Sequence, residues 1–457
     1  MSKKAKFTSR MGVIAATVGS AVGLGTIWRF PAEAQSNGGG AFLLVYVICV
    51  LAIGVPVMLA EFALGRGGQS DAVGVFRRLV PGSHWQYAGW MAILASYLIL
   101  MFYMVVAGWT LQYLWQSVTG ELFSGLDTGN LVGAENYFHE KMNMYISSDS
   151  RPLIDTFIMI VLNMGVLILG VQKGIEKLSN ILMPLLFVLL LILASVALTF
   201  PKASEGLAYF FTPDFFKITG GVVLNALGQA FFSLSLGMGI LITYGAYYPN
   251  TVNLARTSTI VSSLVVVVAL LMGVIIFPAV MSFGVDATQV RGTTLVFVTL
   301  PEVFMQLPGS RLWAIIFFTL LMVAALTSTI SIAEVTISYI EDRWRRSRIA
   351  ACMIVMLPMF VFGGLCSLSF GSLADFKILG MNLFDFLDNL TTNILLPLVA
   401  IMICVFMGWY APKGLFRGQI TNDGTVSQRI YPAILFVVRF IAPVSVLFIL
   451  LSTFIKF

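Results

Sequence analysis

Eleven predominantly apolar stretches follow one another along the 457-residue chain, at 11–34, 40–66, 85–119, 155–171, 179–200, 218–247, 257–283, 311–340, 347–367, 384–410 and 430–455. A helix needs about 20 largely apolar residues to cross a bilayer. The pattern therefore predicts an all-α polytopic membrane protein with eleven spans and little chain left for a soluble domain. The two longest polar connections, 120–152 and 286–309, are expected either to fold over an outer vestibule or to be disordered.

Two spans differ from the rest. The first contains Gly19-Ser20-Ala21-Val22-Gly23-Leu24-Gly25 and then Arg29-Phe30-Pro31. The sixth contains Ser233-Leu234-Ser235-Leu236-Gly237-Met238-Gly239. Glycine costs a helix interior about 1 kcal/mol relative to alanine. In a single span such residues can simply let helices pack closely. Two such spans, five apart, point instead to an inverted repeat with two broken helices. Unwound backbone is tolerated at membrane depth only where it lines a cavity, so the pair of breaks predicts a binding site near the midplane.

Composition narrows the class further. Hydrophobic residues make up 58%, charged residues 11%, and the mean hydropathy is +0.93. Soluble domains are about half apolar and one-quarter charged, which excludes a soluble enzyme, a disordered chain and a disulfide scaffold. Cys49, Cys352, Cys366 and Cys404 all fall in apolar stretches and read as small hydrophobes. The net charge of +6 is a topology signal rather than a nucleic-acid footprint. Seventeen Lys and Arg lie in the amino-terminal tail and the even-numbered connections, against eight in the others. That bias puts the amino terminus in the cytoplasm and, after eleven spans, the carboxyl terminus outside. The first stretch lacks a small-residue cleavage site and reads as a retained span. His84 and His139, both in connections, provide neither a metal cluster nor a nucleophile triad for a membrane enzyme. A channel would call for a repeated carbonyl or acidic ring, which the sequence does not display.

The sequence Val22-Gly23-Leu24-Gly25-Thr26-Ile27-Trp28-Arg29-Phe30-Pro31, followed by Asn37-Gly38-Gly39-Gly40-Ala41-Phe42, closely resembles the first span of the neurotransmitter:sodium symporter family. Gln229 to Ser235 resembles its sixth span, Ala325-Leu326-Thr327-Ser328 its eighth, and Phe384-Asp385-Phe386-Leu387-Asp388 its tenth. The resemblance covers nearly the whole chain in order, and eleven spans are similar to the shorter bacterial members. It implies two inverted five-helix repeats (11–200 and 201–410) after a tail (1–10) and before a final span with its preceding loop (411–457). It also implies sodium-driven, alternating-access uptake of a small amine or amino acid across the bacterial cytoplasmic membrane. Na⁺ and the bilayer are the expected partners, with no nucleic acid.

By that resemblance one sodium site maps to the carbonyls of Gly19, Val22 and Ala324 and the hydroxyls of Thr327 and Ser328. Thr and Ser in a span can also simply bond back to the carbonyl four residues earlier. The second family site would use Ala21, Thr26, Ser233 and a side-chain oxygen from the seventh span, where Val265 and its neighbours offer none. Thr26 stands where Asn is usual. The chloride-replacing acidic position one turn later is Ala269 or Val268. A buried second cation calls for a compensating anion, so the paired losses suggest one Na⁺ per cycle without chloride. Completion of a weaker second site by water or another carbonyl is the alternative. A proton-driven or uncoupled transporter and a non-transporting amino-acid sensor of the same fold also stay open.

The resemblance further implies a substrate with its own carboxylate, because position 23 is Gly rather than Asp. The carboxylate would meet the Leu24 and Gly25 amides and the Tyr103 hydroxyl. The amino group would face carbonyls of the sixth-span break, together with Ser235. Ile99, Phe232, Ser235, Met238, Thr329 and Ile332 would set side-chain selectivity, favouring a neutral hydrophobic or aromatic amino acid; Ala21 and Ser233 complete the binding set. Arg29 and Asp388 match an outer gate, with Phe232 as its lid. Arg10 would close the inner side with Asp342 or Asp375. Glu61 would either tie down the unwound amides or carry a coupled proton; Glu33 and Glu334 have no assigned place.

Overall fold

The computed structural model describes residues 5–124, 134–283, 292–425 and 429–454. Lys3, Lys4, Arg291, Lys456, parts of the connections 120–152 and 286–309, and the end of the last predicted span lie outside them. Among the described residues the chain is helical, the sole strand-like pairing being an isolated bridge between Ile378 and Met381.

Among the described residues, nine continuous helices are long and apolar enough to span a membrane: Gly40–Gly68, Gln86–Thr119, Arg151–Ile168, Val171–Ala197, Leu254–Phe283, Ser310–Trp344, Arg348–Leu368, Leu383–Tyr410 and Tyr431–Ser452. The first predicted span is a tenth, in two pieces, Arg10–Ala21 and Gly25–Ser36, bent by 54°. The sixth is Gly220–Ser233 and Ile240–Tyr247 with unwound chain between them. Side chains fix several starts. Ser9 accepts from the Gly12 amide, Thr219 from Val222, Ser347 from Ala350 and Asn382 from Asp385, each satisfying a donor the helix cannot.

The fourth span starts at Arg151 rather than 155, and the fifth at Val171 rather than 179. Lys173 and Lys177 therefore ride on a helix where the apolar pattern predicts a connection; long amphipathic side chains reach the interface from a helix end. The turn between the two spans is only Leu169 and Gly170, the latter at φ +80°. The eighth span continues beyond 340 to Trp344, where Arg345 at φ +49° ends it.

The third and eighth spans pack along each other and form the centre, 78% and 72% buried within the protein, whereas the last span is only 22% buried. The broken first and sixth spans lie against this centre. The second span and the second piece of the sixth, Ile240–Tyr247, meet backbone to backbone. A Cβ at Gly65 would fall 2.0 Å from the Ile242 carbonyl oxygen, and one at Gly245 2.8 Å from that of Phe62. A short helix, Gly74–Leu79, follows the second span on the face where the chain begins, called here the amino-terminal face.

Candidate functional site

The two breaks face each other. The helix at Arg10–Ala21 stops at Val22, whose ψ of 70° is non-helical; the Gly23 carbonyl then accepts from the Thr26 and Ile27 amides and starts the second piece. In the sixth span Ser235, Gly237 and Gly239 all take positive φ, a conformation that is costly for the non-glycine Ser235. Its hydroxyl donates to the Ser20 carbonyl at 3.0 Å, joining the two unwound segments. The Gly237 amide donates to Glu61 Oε1 at 2.7 Å, while among the described residues the buried Oε2 of Glu61 has no hydrogen-bond partner. Glu61 thus ties down one freed amide of the sixth-span break.

Four of the five sodium-site residues named from sequence come together at the first break. Ser328 Oγ donates to the Gly19 carbonyl at 3.3 Å, across the gap between spans one and eight. Thr327 Oγ1 lies 3.1 Å from the Ala324 carbonyl and 3.1 Å from that of Val323. The Thr327 Cβ stands 3.3 Å from where a Gly19 Cβ would be. The Thr327 back-bonds are those expected of any helical threonine; the Ser328 bond to another span is not. At the other set, Thr26 Oγ1 donates to its own Ala21 carbonyl at 3.1 Å. Ser233 Oγ accepts from Gln229 Nε2, which also reaches the Gly25 carbonyl. Val265 and Ala269 are fully buried on the seventh span, which packs against Gly25–Arg29, and neither side chain carries an oxygen.

Beside the breaks is a small cavity of about 20 Å³, room for roughly one water molecule. Ala21, Gly23, Gly25, Ile99, Tyr103 and Phe232 line it, as do Ser235, Met238 and Ile332. Leu24, Ser233 and Thr329 are not on its wall; Thr329 Oγ1 turns back to the carbonyls of Ala325 and Leu326. Ser20, Ile240 and Ser328 are, though sequence reasoning did not place them there. Ser20 and Ile240 flank the two breaks, and that adjacency was the available signal. The Tyr103 hydroxyl lies beside the Leu24 and Gly25 amides and the Ser328 hydroxyl. The Phe232 ring rests on Gly25, where a Cβ would sit 2.3 Å from it.

Above Phe232 opens a larger cavity of about 380 Å³, walled by Trp28, Phe102, Tyr103 and Phe384 with Arg29 and Asp388 on its rim. Among the described residues no ion pair joins that arginine to that aspartate. Arg29 lies with its Cζ 4.9 Å from the Phe232 ring centre and its Nε 3.8 Å from Glu33 Oε1. Asp388 accepts from Thr392 Oγ1 at 3.0 Å. Glu33 thereby acquires a place at this rim.

The amino-terminal face is closed by a dense polar network. Glu176 accepts from the amides and hydroxyls of Thr8 and Ser9, and the Phe7 ring packs edge-on against Tyr244 and Tyr247. The hydroxyls of Thr17 and Tyr248 are 2.5 Å apart. Arg66 binds the Val252 carbonyl, Gln419 and Asn422. Glu334, fully buried, accepts from Tyr247 at 2.7 Å and from Arg348 at 2.6 and 3.0 Å, and Arg348 also reaches Glu341 at 3.0 Å. Arg10 is not brought to either carboxylate named for it. It stands exposed, Asp342 accepts from the Asp71 amide, and Asp375 is exposed beyond the ninth span on the opposite face. The sequence signal for Glu176, Glu334 and Arg348 was their charge at the edge of apolar stretches, which marks an intramembrane ionisable group but does not name its partner.

The profile of the sodium:neurotransmitter symporter family matches residues 4–142 and 128–457. An uncharacterized sodium-dependent transporter of Bacillus subtilis, YhdH, is 35% identical over 450 residues, covering 98% of each chain. The sodium-dependent serotonin transporter of Drosophila melanogaster is 29% identical, over 77% of this chain and 62% of its own. Among solved structures, that of MhsT in complex with L-phenylalanine superposes with a TM-score of 0.89 at 40% identity, covering 98% of this chain and all of the other. With a family profile over nearly its full length and relatives of this identity, the chain belongs to the sodium:neurotransmitter symporter family.

Proposed function

We propose that this sodium-coupled transporter carries a neutral, hydrophobic or aromatic amino acid into the cytoplasm with one Na⁺ per cycle and without chloride. The family is one of transporters and not of enzymes. The observation that carries the finer reading is the Ser328 hydroxyl. It bridges to the Gly19 carbonyl beside Thr327 on one side and abuts Gly23 and Tyr103 on the other. One residue thus couples the ion cluster to the carboxylate end of the substrate pocket. The structure of the similar MhsT with L-phenylalanine supports an apolar substrate.

In this reading the ion takes the carbonyls of Gly19, Val22 and Ala324 and the oxygens of Thr327 and Ser328, whose hydroxyl hydrogens turn away from it. Uncharged oxygens suit a hard, weakly bound cation. The substrate carboxylate lies at the amides of Leu24 and Gly25, where the half-helix dipole favours negative charge. A cavity of about 20 Å³ cannot hold an amino-acid side chain, so entry requires Phe232 to leave Gly25 and swing into the vestibule above it. Arg29 and Asp388 then close over the substrate, and release requires the Glu334–Arg348–Tyr247 network to open. The seventh-span wall at Val265, which carries no side-chain oxygen, supports the single ion. The positive bias supports a cytoplasmic amino terminus in a bacterial inner membrane, and the two breaks support repeats at 11–200 and 201–410.

A tenfold sodium gradient plus 100 mV supplies about 3.7 kcal/mol per ion, enough for roughly 500-fold accumulation of a neutral substrate. The test is binding of the twenty amino acids to the purified protein in Na⁺ and in choline. Sodium-dependent saturation by one or a few hydrophobic amino acids, with a Hill coefficient for Na⁺ near one, is expected; a coefficient near two would remove the single-ion assignment. Thr327→Val keeps the shape of the side chain but removes its oxygen. It is expected to raise the half-saturating Na⁺ concentration about 10- to 100-fold, since a bond to a charged partner contributes about 1.5–3 kcal/mol.

The unpartnered Glu61 oxygen favours a second reading, in which this carboxyl carries a proton through the cycle. Amino-acid binding that ignores Na⁺ but shifts with pH, and loses that shift in Glu61→Gln, would select it.

A further inference from the structure

On the amino-terminal face lies a cavity of about 530 Å³ between the segment after the second span and the end of the eighth. Arg77 and Arg78 of the helix Gly74–Leu79 line one side; Arg343, Arg345 and Arg346 line the other. Three carboxylates share the cavity, but each has its own work. Asp71 Oδ1 caps the amides of Val73 and Gly74, Asp342 Oδ2 accepts from the Asp71 amide, and Glu341 pairs with Arg348. Arg77 and Arg78 are each held by part of the guanidinium: Arg77 Nε donates to Gln86, and Arg78 Nη1 donates to the Gly68 and Gln69 carbonyls. Arg345 and Arg346 are exposed, and among the described residues neither makes a hydrogen bond or ion pair. Five arginines against three engaged carboxylates leave a positive cavity with unspent donors.

Its surroundings mark its depth. Tyr339 in the cavity wall packs at a tilt against Trp90, with ring centres 4.7 Å apart, and Trp90, Tyr87 and Trp344 all present exposed rings. Exposed Trp and Tyr gather where the apolar core meets the headgroups. A basic cavity between spans at that depth is placed for a lipid phosphate.

We propose that this cavity is a phosphate-binding site filled by the headgroup of an anionic phospholipid of the adjoining leaflet. Guanidinium groups from two directions would grip the phosphodiester through charge-assisted hydrogen bonds. The grip would tie the second span to the eighth, next to the existing Asp71–Asp342 link.

The full chain is placed in nanodiscs of phosphatidylcholine with increasing phosphatidylglycerol, and thermal unfolding and lipids retained in native mass spectrometry are measured. Phosphatidylglycerol is expected to raise the unfolding midpoint and to remain bound at about one molecule per chain. In the double variant Arg345→Gln/Arg346→Gln the phosphatidylglycerol fraction giving half the effect should rise about tenfold or more. These side chains make no internal bonds, so the variant should fold. The double variant Arg256→Gln/Arg429→Gln, which removes the same charge from exposed positions elsewhere, should behave as the unchanged protein. An equal response of all three proteins to phosphatidylglycerol, or an equal loss in both double variants, overturns the site. Protection in detergent by inorganic pyrophosphate, with none by phosphatidylglycerol, overturns the lipid as its source.

Discussion

Gly23→Ala is expected to weaken amino-acid binding by about 100-fold, and sodium binding with it. The added methyl would sit 2.3 Å from Ser328 Oγ and 3.0 Å from the Tyr103 hydroxyl. Neither neighbour yields freely. Ser328 is buried on the central eighth span with its oxygen against the Gly19 carbonyl, and Tyr103 is buried on the equally central third. Overpacking of this kind costs about 1–3 kcal/mol, the upper end being roughly 150-fold. Because the displaced atom is itself a member of the ion cluster, the two affinities should fall together. Calorimetric titration with substrate at fixed Na⁺, and with Na⁺ at fixed substrate, checks this. Gly228→Ala in the sixth span, where the new methyl meets nothing within 4 Å, should leave both affinities unchanged. Loss of substrate binding with sodium affinity intact would mean that the two sites are not joined through Ser328.

Arg348→Ala should be the most destabilising single change in the protein, by about 3–5 kcal/mol. It leaves Glu334 at 0% exposure with only the Tyr247 hydroxyl for company. The removed guanidinium also served Glu341 and the Leu167 carbonyl, so the fourth and eighth spans lose a common partner. Lysine restores charge but not the planar fork that reaches all of these acceptors, and Arg348→Lys should recover only part of the loss. Glu334→Gln combined with Arg348→Gln removes both charges and should be far milder than Arg348→Ala alone. Thermal unfolding of the purified variants gives the ranking.

The spans were legible because a length rule of about 20 apolar residues has few alternatives in this composition. Their ends were less so: Lys173 and Lys177 looked like a connection, yet a helix end at the interface tolerates them. Glycine and serine at 19–25 and 233–239 correctly announced interrupted helices, since that residue pattern disfavours continuous helix in both places. Positions near the breaks could then be named, and most of the pocket wall follows from them. Directions of side chains could not. Thr329 bonds to its own helix, and Arg29 leans over Phe232 and toward Glu33 instead of reaching Asp388. The closure of the amino-terminal face was invisible in the sequence for a different reason. Glu176 meets Thr8 and Ser9 from 168 and 167 residues away, and such pairings depend on the whole arrangement of spans.

The glycines at 65 and 245 have a mechanical consequence. Two backbones that approach this closely interlock like gear teeth and cannot slide or part without exposing carbonyls to an apolar medium. The Ile240–Tyr247 piece of the sixth span and the end of the second must therefore travel as one lever, pivoting about 234–239, where no continuous helix resists bending. Any tilt that opens the amino-terminal face then pulls Arg66 away from Gln419 and carries the Gly74–Leu79 helix with it. The cost of opening is thus spread over bonds far from the substrate, and a bulky residue at 65 or 245 would disengage the lever while leaving the pocket itself untouched.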